Sequence, residues 1–361
     1  MNWISTNDYI DGTFKSDQFT YNNKIACFDL DGTIITVKSG SKFPKDENDW
    51  IFFSDNVIKK MYILYKNNYS LIIISNQAGI AKGKQNESSW KIKLERICAK
   101  INLPFKIFAS KDNNIYRKPY TTFWNIIKNN ANNSIHPDSF YCGDACGRKN
   151  DHSDTDYKFA LNCGIKFITP ESLFNNMKNH ICNVTYNTDF DILKNIKKPD
   201  YNFIFKKKEL IFLIGYPGSG KSTIAEKYLV PLGYYRINRD TLKTKEKCLN
   251  ECINQIENGN SIVIDNINFD STTRKSYIDV AIKKKYNIKC IIINCDHFTA
   301  YHTAHYRSFK SNGNIKSIPM LVYNKYKKEY EPPNLKKENI NEIIELNFYP
   351  PNDEDYYKYY Y

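Results

Sequence analysis

No stretch of this 361-residue chain is long and apolar enough to span a bilayer; its apolar runs are short, such as LIII at 71–74. A membrane-spanning protein is therefore not expected. The opening MNWISTNDYIDGT has no basic region leading into an apolar core, so no secretory signal is expected either. The ten cysteines form no C-x-x-C pair, which argues against a zinc ribbon or a dithiol redox centre. Several of them, Cys27, Cys163 and Cys290, lie in apolar runs and read as reduced thiols of an intracellular protein, nuclear or cytoplasmic. Cys295, His297, His302 and His305 match no zinc spacing, and the histidines read as exposed polar residues. Acidic residues are in deficit, 39 against 52 basic ones, giving a net charge of +13 and favouring an anionic partner. The length suits two domains of ordinary size.

What is present begins with LIGYPGSGKST at 213–223. It reads as a strand, a glycine-rich turn and a helix start. Gly215, Gly218, Ser219, Gly220, Lys221, Ser222 and Thr223 fill a P-loop template, G-x-x-x-x-G-K-[ST]. Glycines let successive N–H groups turn around phosphate oxygens, and the helix N-terminus adds positive potential. Lys221 reaches the outer phosphates of ATP, and Ser222 is a ligand for Mg²⁺.

Earlier in the chain, KIACFDLDGTIIT at 24–36 is an apolar β-rich run that closes on Gly32, with Asp29 and Asp31 just past the strand end. In an open α/β sheet, ligands bind at the carboxyl ends of strands. LIIISNQAGI at 71–80 puts Ser75 at the end of a second strand. YRKP at 116–119 supplies Lys118, FYCGDACGR at 140–148 supplies Asp144, and the helix opening near Asp151 and Ser153 carries Asp156. These residue types suit phosphate ester hydrolysis. Asp29 is the nucleophile, and Asp31 protonates the leaving oxygen and then activates water. Asp29 and Asp144 are hard ligands for Mg²⁺, while Ser75 and Lys118 bind the phosphoryl oxygens. The ordered motifs resemble those of the haloacid dehalogenase-type phosphatases, which implies the same roles and adds the Asp31 backbone as a metal ligand.

After the P-loop, YYRINRDTL at 234–242 presents Asp240, SIVID ends a strand in Asp265, and STTRKSY carries Arg274. IKCIIINCD at 288–296 is a fourth strand, and TAYHTAHYRSFK carries Arg307 in a basic helix. Strands alternating with helices predict a parallel sheet. The expected architecture is α/β with two domains: a HAD-like Rossmannoid phosphatase over 1–190, a linker over 191–205 and a P-loop kinase over 206–361. The closing PNDEDYYKYYY reads as a frayed tail.

A phosphatase and a kinase acting on one group would waste nucleotide triphosphate. A broken strand offers two different groups, a 3′-phosphate and a 5′-hydroxyl, and the basic charge favours such a polyanion. Over about residues 20–350, SNQAGI, YRKP, GDACGR, F-A-L-N, GYPGSGKST, NRDTL, IDNINFDSTTRKSY and IPMLVYNKYKKEYEPP resemble the polynucleotide kinase 3′-phosphatases. That resemblance implies Asp240 as general base on the 5′-hydroxyl, Arg274 as support and Arg307 on a lid over the ATP phosphates, while Asp265, at the end of SIVID, is read as support for the same site. On the residues alone, a helix cap is the alternative role for Asp240, and Arg274 is equally a solvated helix residue. About twenty residues precede the first motif, so the forkhead-associated phosphopeptide-binding domain of animal members is not expected. The loop from Gly147 to Asp151 is short, which could alter the wall of the 3′-end channel. Phosphatase before kinase favours DNA, with RNA left open because the motifs act on phosphates and not on the 2′-position. A monomer is expected. A metabolite kinase/phosphatase and an inactive nucleic-acid scaffold are the competing readings, the latter opposed by the intact Asp29, Asp31, Lys221, Ser222 and Asp240.

Overall fold

A computed structural model describes residues 1–179, 190–311 and 313–361. The chain divides into one unit of Met1–Thr185, Ser311–Asn314 and Lys358–Tyr361, and another of Tyr186–Lys310 and Ile315–Tyr357. The expected domain end at 190 abuts residues 180–189, which lie outside the described residues.

In the first unit the strands are β1 (Asn2–Ser5), β2 (Tyr9–Phe14), β3 (Lys24–Phe28), β4 (Ile35–Thr36), β5 (Ile51–Phe52), β6 (Tyr69–Asn76), β7 (Phe105–Ser110), β8 (Phe140–Cys142) and β9 (Lys166–Ile168). Seven of them form one sheet in the order β1-β2-β7-β6-β3-β8-β9. β6, β3, β8 and β9 run parallel to their neighbours, and β2 adds antiparallel to β7. The polar N-terminal segment is thus a sheet-edge hairpin, anchored by the fully buried Ile10. β3 is covered on both faces. Ala26 and Phe28 join one cluster with Leu71 and Ile73, and Ile25 and Cys27 join another with Ile72 and Ile74. Burial on both faces is why KIACF reads as a continuous apolar run rather than an alternating one.

The second unit holds β10 (Glu209–Ile214), β11 (Tyr235–Ile237), β12 (Ile262–Ile264), β13 (Asn287–Asn294) and β14 (Glu342–Asn347), all parallel, in the order β11-β12-β10-β13-β14. β10, which feeds the P-loop, is central. The neighbours on its two sides are reached by separate crossovers, the topology that opens a crevice at strand ends.

Two sequence expectations are corrected here. The closing residues are not frayed: Glu354–Tyr357 form a short 3₁₀ turn, and Tyr356 is fully buried against His302 and Tyr306. An apolar ring with a buried hydrogen-bond partner outweighs the polar composition of that stretch. For the same reason His302 is not exposed but fully buried, its Nε2 2.8 Å from the Tyr356 carbonyl. Ahead of the second sheet, Leu193 is buried and Phe190 meets the His302 ring at 4.9 Å.

Candidate active sites

In the first unit, β3 ends at Phe28, and the Asp29 N–H donates to the Cys142 carbonyl of β8 at 2.8 Å. That bond fixes Asp29 at the sheet's carboxyl edge. Three residues on, Gly32 adopts φ +84°, and a Cβ there would lie 2.5 Å from an Asp144 carboxylate oxygen. Only glycine lets the turn bring Asp144 against the D-x-D segment. Ser75 comes from the end of β6, Lys118 from the loop after β7 and Asp156 from the first turn of the helix Thr155–Cys163.

Lys118 is buried, and its Nζ donates to Asp29 at 2.6 Å, to Asp156 at 2.7 Å and to the Tyr141 hydroxyl at 2.6 Å. Asp156 is braced in turn by the Ala145 N–H at 3.1 Å. Ligand oxygens of Asp29, Asp144 and Asp156 all lie within 4.8 Å of one another. Burial pushes the Asp29 carboxyl up, Lys118 pulls it down, and Asp156 and Asp144 push it up again. Burial first, then Asp156, raises Asp144 as well. Lys118 is held charged by Asp156 and Asp29 against its own burial. Asp29 and Asp144, both raised by burial first and also by the charge of Asp156, are a donor set for a divalent cation, which would restore both to the ionised form. The residues fit a metal.

Asp31, expected beside them, is exposed, and its carboxylate accepts from Gln77 at 2.8 Å and from Lys93 at 3.1 Å. Gln77 also donates to Ser75 Oγ at 2.8 Å. Asp151 does not join the cluster; it folds back on Arg148 at 3.0 Å. Gln77, Tyr141 and Asp156 lie inside the quoted motifs, which do not announce their partners, and Lys93 carries no local signal.

In the second unit, β10 runs into the loop at 215–220 and the helix starts at Lys221. Gly218 has φ +85°, and a Cβ there would sit 2.2 Å from the Ala300 carbonyl. The helix His297–Lys310, which carries Arg307, therefore packs directly on the loop. Tyr323 closes the contact, its hydroxyl donating to the Pro217 carbonyl at 3.0 Å. Lys221 is buried and folded back, donating to the Gly215 and Tyr216 carbonyls at 2.6 Å each. Burial lowers its ammonium to about 8, Asp265 and Cys295 oppose this, and Arg307 adds to it. Arg307 is exposed and forms no ion pair among the described residues. The buried Ser219 hydroxyl has no hydrogen-bond partner. An orphaned hydroxyl, a desolvated lysine turned onto its own loop and a free guanidinium fit an anion with several oxygens. Ser222 is half-buried and Thr223 exposed on the first turn.

Asp265 follows β12 and is buried, with one carboxylate oxygen taken by Arg236 at 2.6 and 2.8 Å and by Asn238 at 3.1 Å. Asp240 is exposed in the short helix Arg239–Leu242 and is not its cap, because Asn238 accepts the Asp240 N–H at 2.8 Å. Thr244 caps the helix Lys245–Glu257. The cap role weighed for Asp240 thus belongs to its neighbours, and its carboxylate is left for other work. Arg274 is no solvated residue: it is fully buried, paired with Glu338 at 2.8 Å and bonded to the Asn268 and Glu331 carbonyls at 3.0 Å. It braces Asn268, whose side chain donates to the carbonyls of Leu213 and Ile264 at 2.9 Å.

Residues 24–174 match the family described as "Polynucleotide kinase 3 phosphatase", and residues 210–333 match an "AAA domain". A bifunctional polynucleotide phosphatase/kinase of Schizosaccharomyces pombe is 36% identical over 342 residues, covering 94% of this chain and 83% of its own. A relative in Acanthamoeba polyphaga mimivirus is 33% identical over 388 residues, covering 97% of this chain and 90% of its own. A polynucleotide 3′-phosphatase of Arabidopsis thaliana is 33% identical over 178 residues, covering 44% of this chain and 25% of its own.

Proposed function

The chain belongs to the bifunctional polynucleotide phosphatase/kinases, and from that premise we propose that it heals broken DNA strands by removing 3′-phosphates and phosphorylating 5′-hydroxyls. The observation that carries this reading is that one chain supplies two separate phosphate sites: the Asp29–Lys118–Asp144 cluster on one sheet and the Lys221 loop on another. Different terminal groups as substrates remove the futility of opposing activities in one protein. The net charge of +13 suits a polyanion.

At the 3′ end, Asp29 attacks phosphorus, the bond to O3′ breaks, and Asp31 gives the departing oxygen its proton. Water then attacks the phosphoaspartate and yields its proton to Asp31, freeing Asp29 and inorganic phosphate. Ser75 and Lys118 hold the phosphoryl oxygens as charge builds on them. Asp29, Asp144 and the Asp31 backbone would hold Mg²⁺, which when bound offsets repulsion between the carboxylates and the phosphate. At the 5′ end, Asp240 takes the proton of the hydroxyl as its oxygen attacks the γ-phosphorus of ATP and the bond to the β-phosphate oxygen breaks. Lys221, Arg307 and the loop N–H groups of Gly218, Ser219 and Gly220 stabilise the transferring group. Ser222 would share Mg²⁺, Thr223 lies beside it, and Asp265 supports the site through Arg236.

Both sites are complete within one chain, so a monomer suffices. Among the described residues, no helix is long and apolar enough to cross a membrane. The test is a nicked duplex with a labelled 3′-phosphate and 5′-hydroxyl, run with and without Mg²⁺ and ATP, beside RNA of the same sequence. Conversion of both DNA ends supports the reading. Activity on nucleosides alone, or on RNA alone, overturns it.

A further inference from the structure

Lys93 lies mid-helix in Glu87–Ile101, among the buried Trp90, Leu94 and Ile97. Its side chain is 4% exposed, while that of Asp31 is 47% exposed. Among the described residues its ammonium has one acceptor, Asp31 Oδ1 at 3.1 Å. Asp31 Oδ2 accepts from Gln77 Nε2 at 2.8 Å, and the same nitrogen donates to Ser75 Oγ at 2.8 Å. A buried ammonium with a single partner is under strong pressure to keep that partner. Its burial also excludes it from touching a polynucleotide backbone. The series Lys93–Asp31–Gln77–Ser75 therefore ties the acid–base carboxylate to the serine that holds phosphate.

We propose that Lys93 is a positioning residue for Asp31: with Gln77 it holds both carboxylate oxygens, so that the group is aimed for water activation in the second half-reaction. This rests on the 3′-phosphatase reading. The two half-reactions differ in their need for Asp31. An aryl phosphate expels p-nitrophenolate, which departs without a proton, so its first half proceeds without the acid. The second half, attack of water on the phosphoaspartate with the proton passing to Asp31, needs the carboxylate in place for every substrate.

The experiment compares wild type, Lys93→Met and Lys93→Arg in the full chain with Mg²⁺. Methionine preserves the buried stem and removes the charge. In Lys93→Met, p-nitrophenyl phosphate should give a burst of about one equivalent at the wild-type rate, followed by steady-state turnover about tenfold slower or more. KM for a 3′-phosphate oligonucleotide should change little, Lys93→Arg should recover part of the rate, and 5′-kinase activity and Tm should hold. Wild-type turnover in Lys93→Met overturns the proposal. So does joint loss of burst, turnover and Tm, which would make Lys93 a packing residue. A wild-type protein that leaves 3′-phosphates untouched refutes the activity reading instead, and the same assay separates the two failures.

Discussion

Asp240 and Lys221 are single residues whose surroundings decide what they do. Asp240 is surface-exposed, while its cap position is filled by Asn238. Asp240→Asn should therefore keep the Tm and ATP binding and lose 5′-phosphorylation by about a hundredfold or more, because an amide cannot take the hydroxyl proton. Near-normal kinase turnover would sink the assignment. Asp265 is then a weak substitute, since Arg236 and Asn238 already hold its carboxylate. Lys221 is lowered to about 8 by burial. Phosphate binds the ammonium form, so the affinity of the unliganded protein for ATP should fall as pH rises through about 8, up to about tenfold per further pH unit. Titrating a fluorescent ATP analogue from pH 7 to 10 measures this. A flat profile in wild type would contradict the desolvated lysine, and Lys221→Ala should bind weakly at every pH.

Elements carry the next scale. The helix Ser271–Lys283 is pinned by Arg274, whose guanidinium bonds Glu338 and two carbonyls inside the kinase unit. Arg274→Met leaves Glu338 short of its counter-charge and should destabilise that unit by roughly 3–5 kcal/mol, read as a lower denaturation midpoint. An unchanged midpoint would return Arg274 to a role at the substrate. The helix His297–Lys310 is pinned differently, by His302 under Tyr356. Burial lowers His302 to about 4, against about 6.5 when unfolded. Between those values the unfolded chain binds the extra proton. Stability is therefore full above about pH 6.5 and is lost as pH falls toward 4, by roughly 3 kcal/mol at most. His302→Gln should shrink the acid slope of kinase-unit stability, and an identical slope in both proteins would refute the shift.

On the scale of the whole molecule, the two sites rest on separate sheets and separate hydrophobic cores. Asp29→Ala and Asp29→Asn should abolish 3′-phosphate removal and leave the 5′-kinase rate within about twofold, since sites that share no partners perturb each other little. Lys221→Ala should do the reverse. Loss of both activities in either folded variant would end the two-site description.

Much of this was legible in the chain because strand ends and glycine turns are local events. D-L-D-G-T after an apolar run, and G-Y-P-G-S-G-K-S-T after another, name their positions from a few consecutive residues. The order of the motifs conveyed the phosphatase and kinase halves in the same way. Partnership across the sequence was not legible. Lys93 meets Asp31 from 62 residues away, and Arg274 meets Glu338 from 64. Asn238, not Asp240, takes the cap, and a tail rich in polar residues buries Tyr356. The sequence by itself determined which residues could do the chemistry, because backbone turns and strand edges depend on neighbours in the chain. Only the tertiary structure decided which charges are buried, which are paired and which are left free, because desolvation and Coulomb energy depend on neighbours in space.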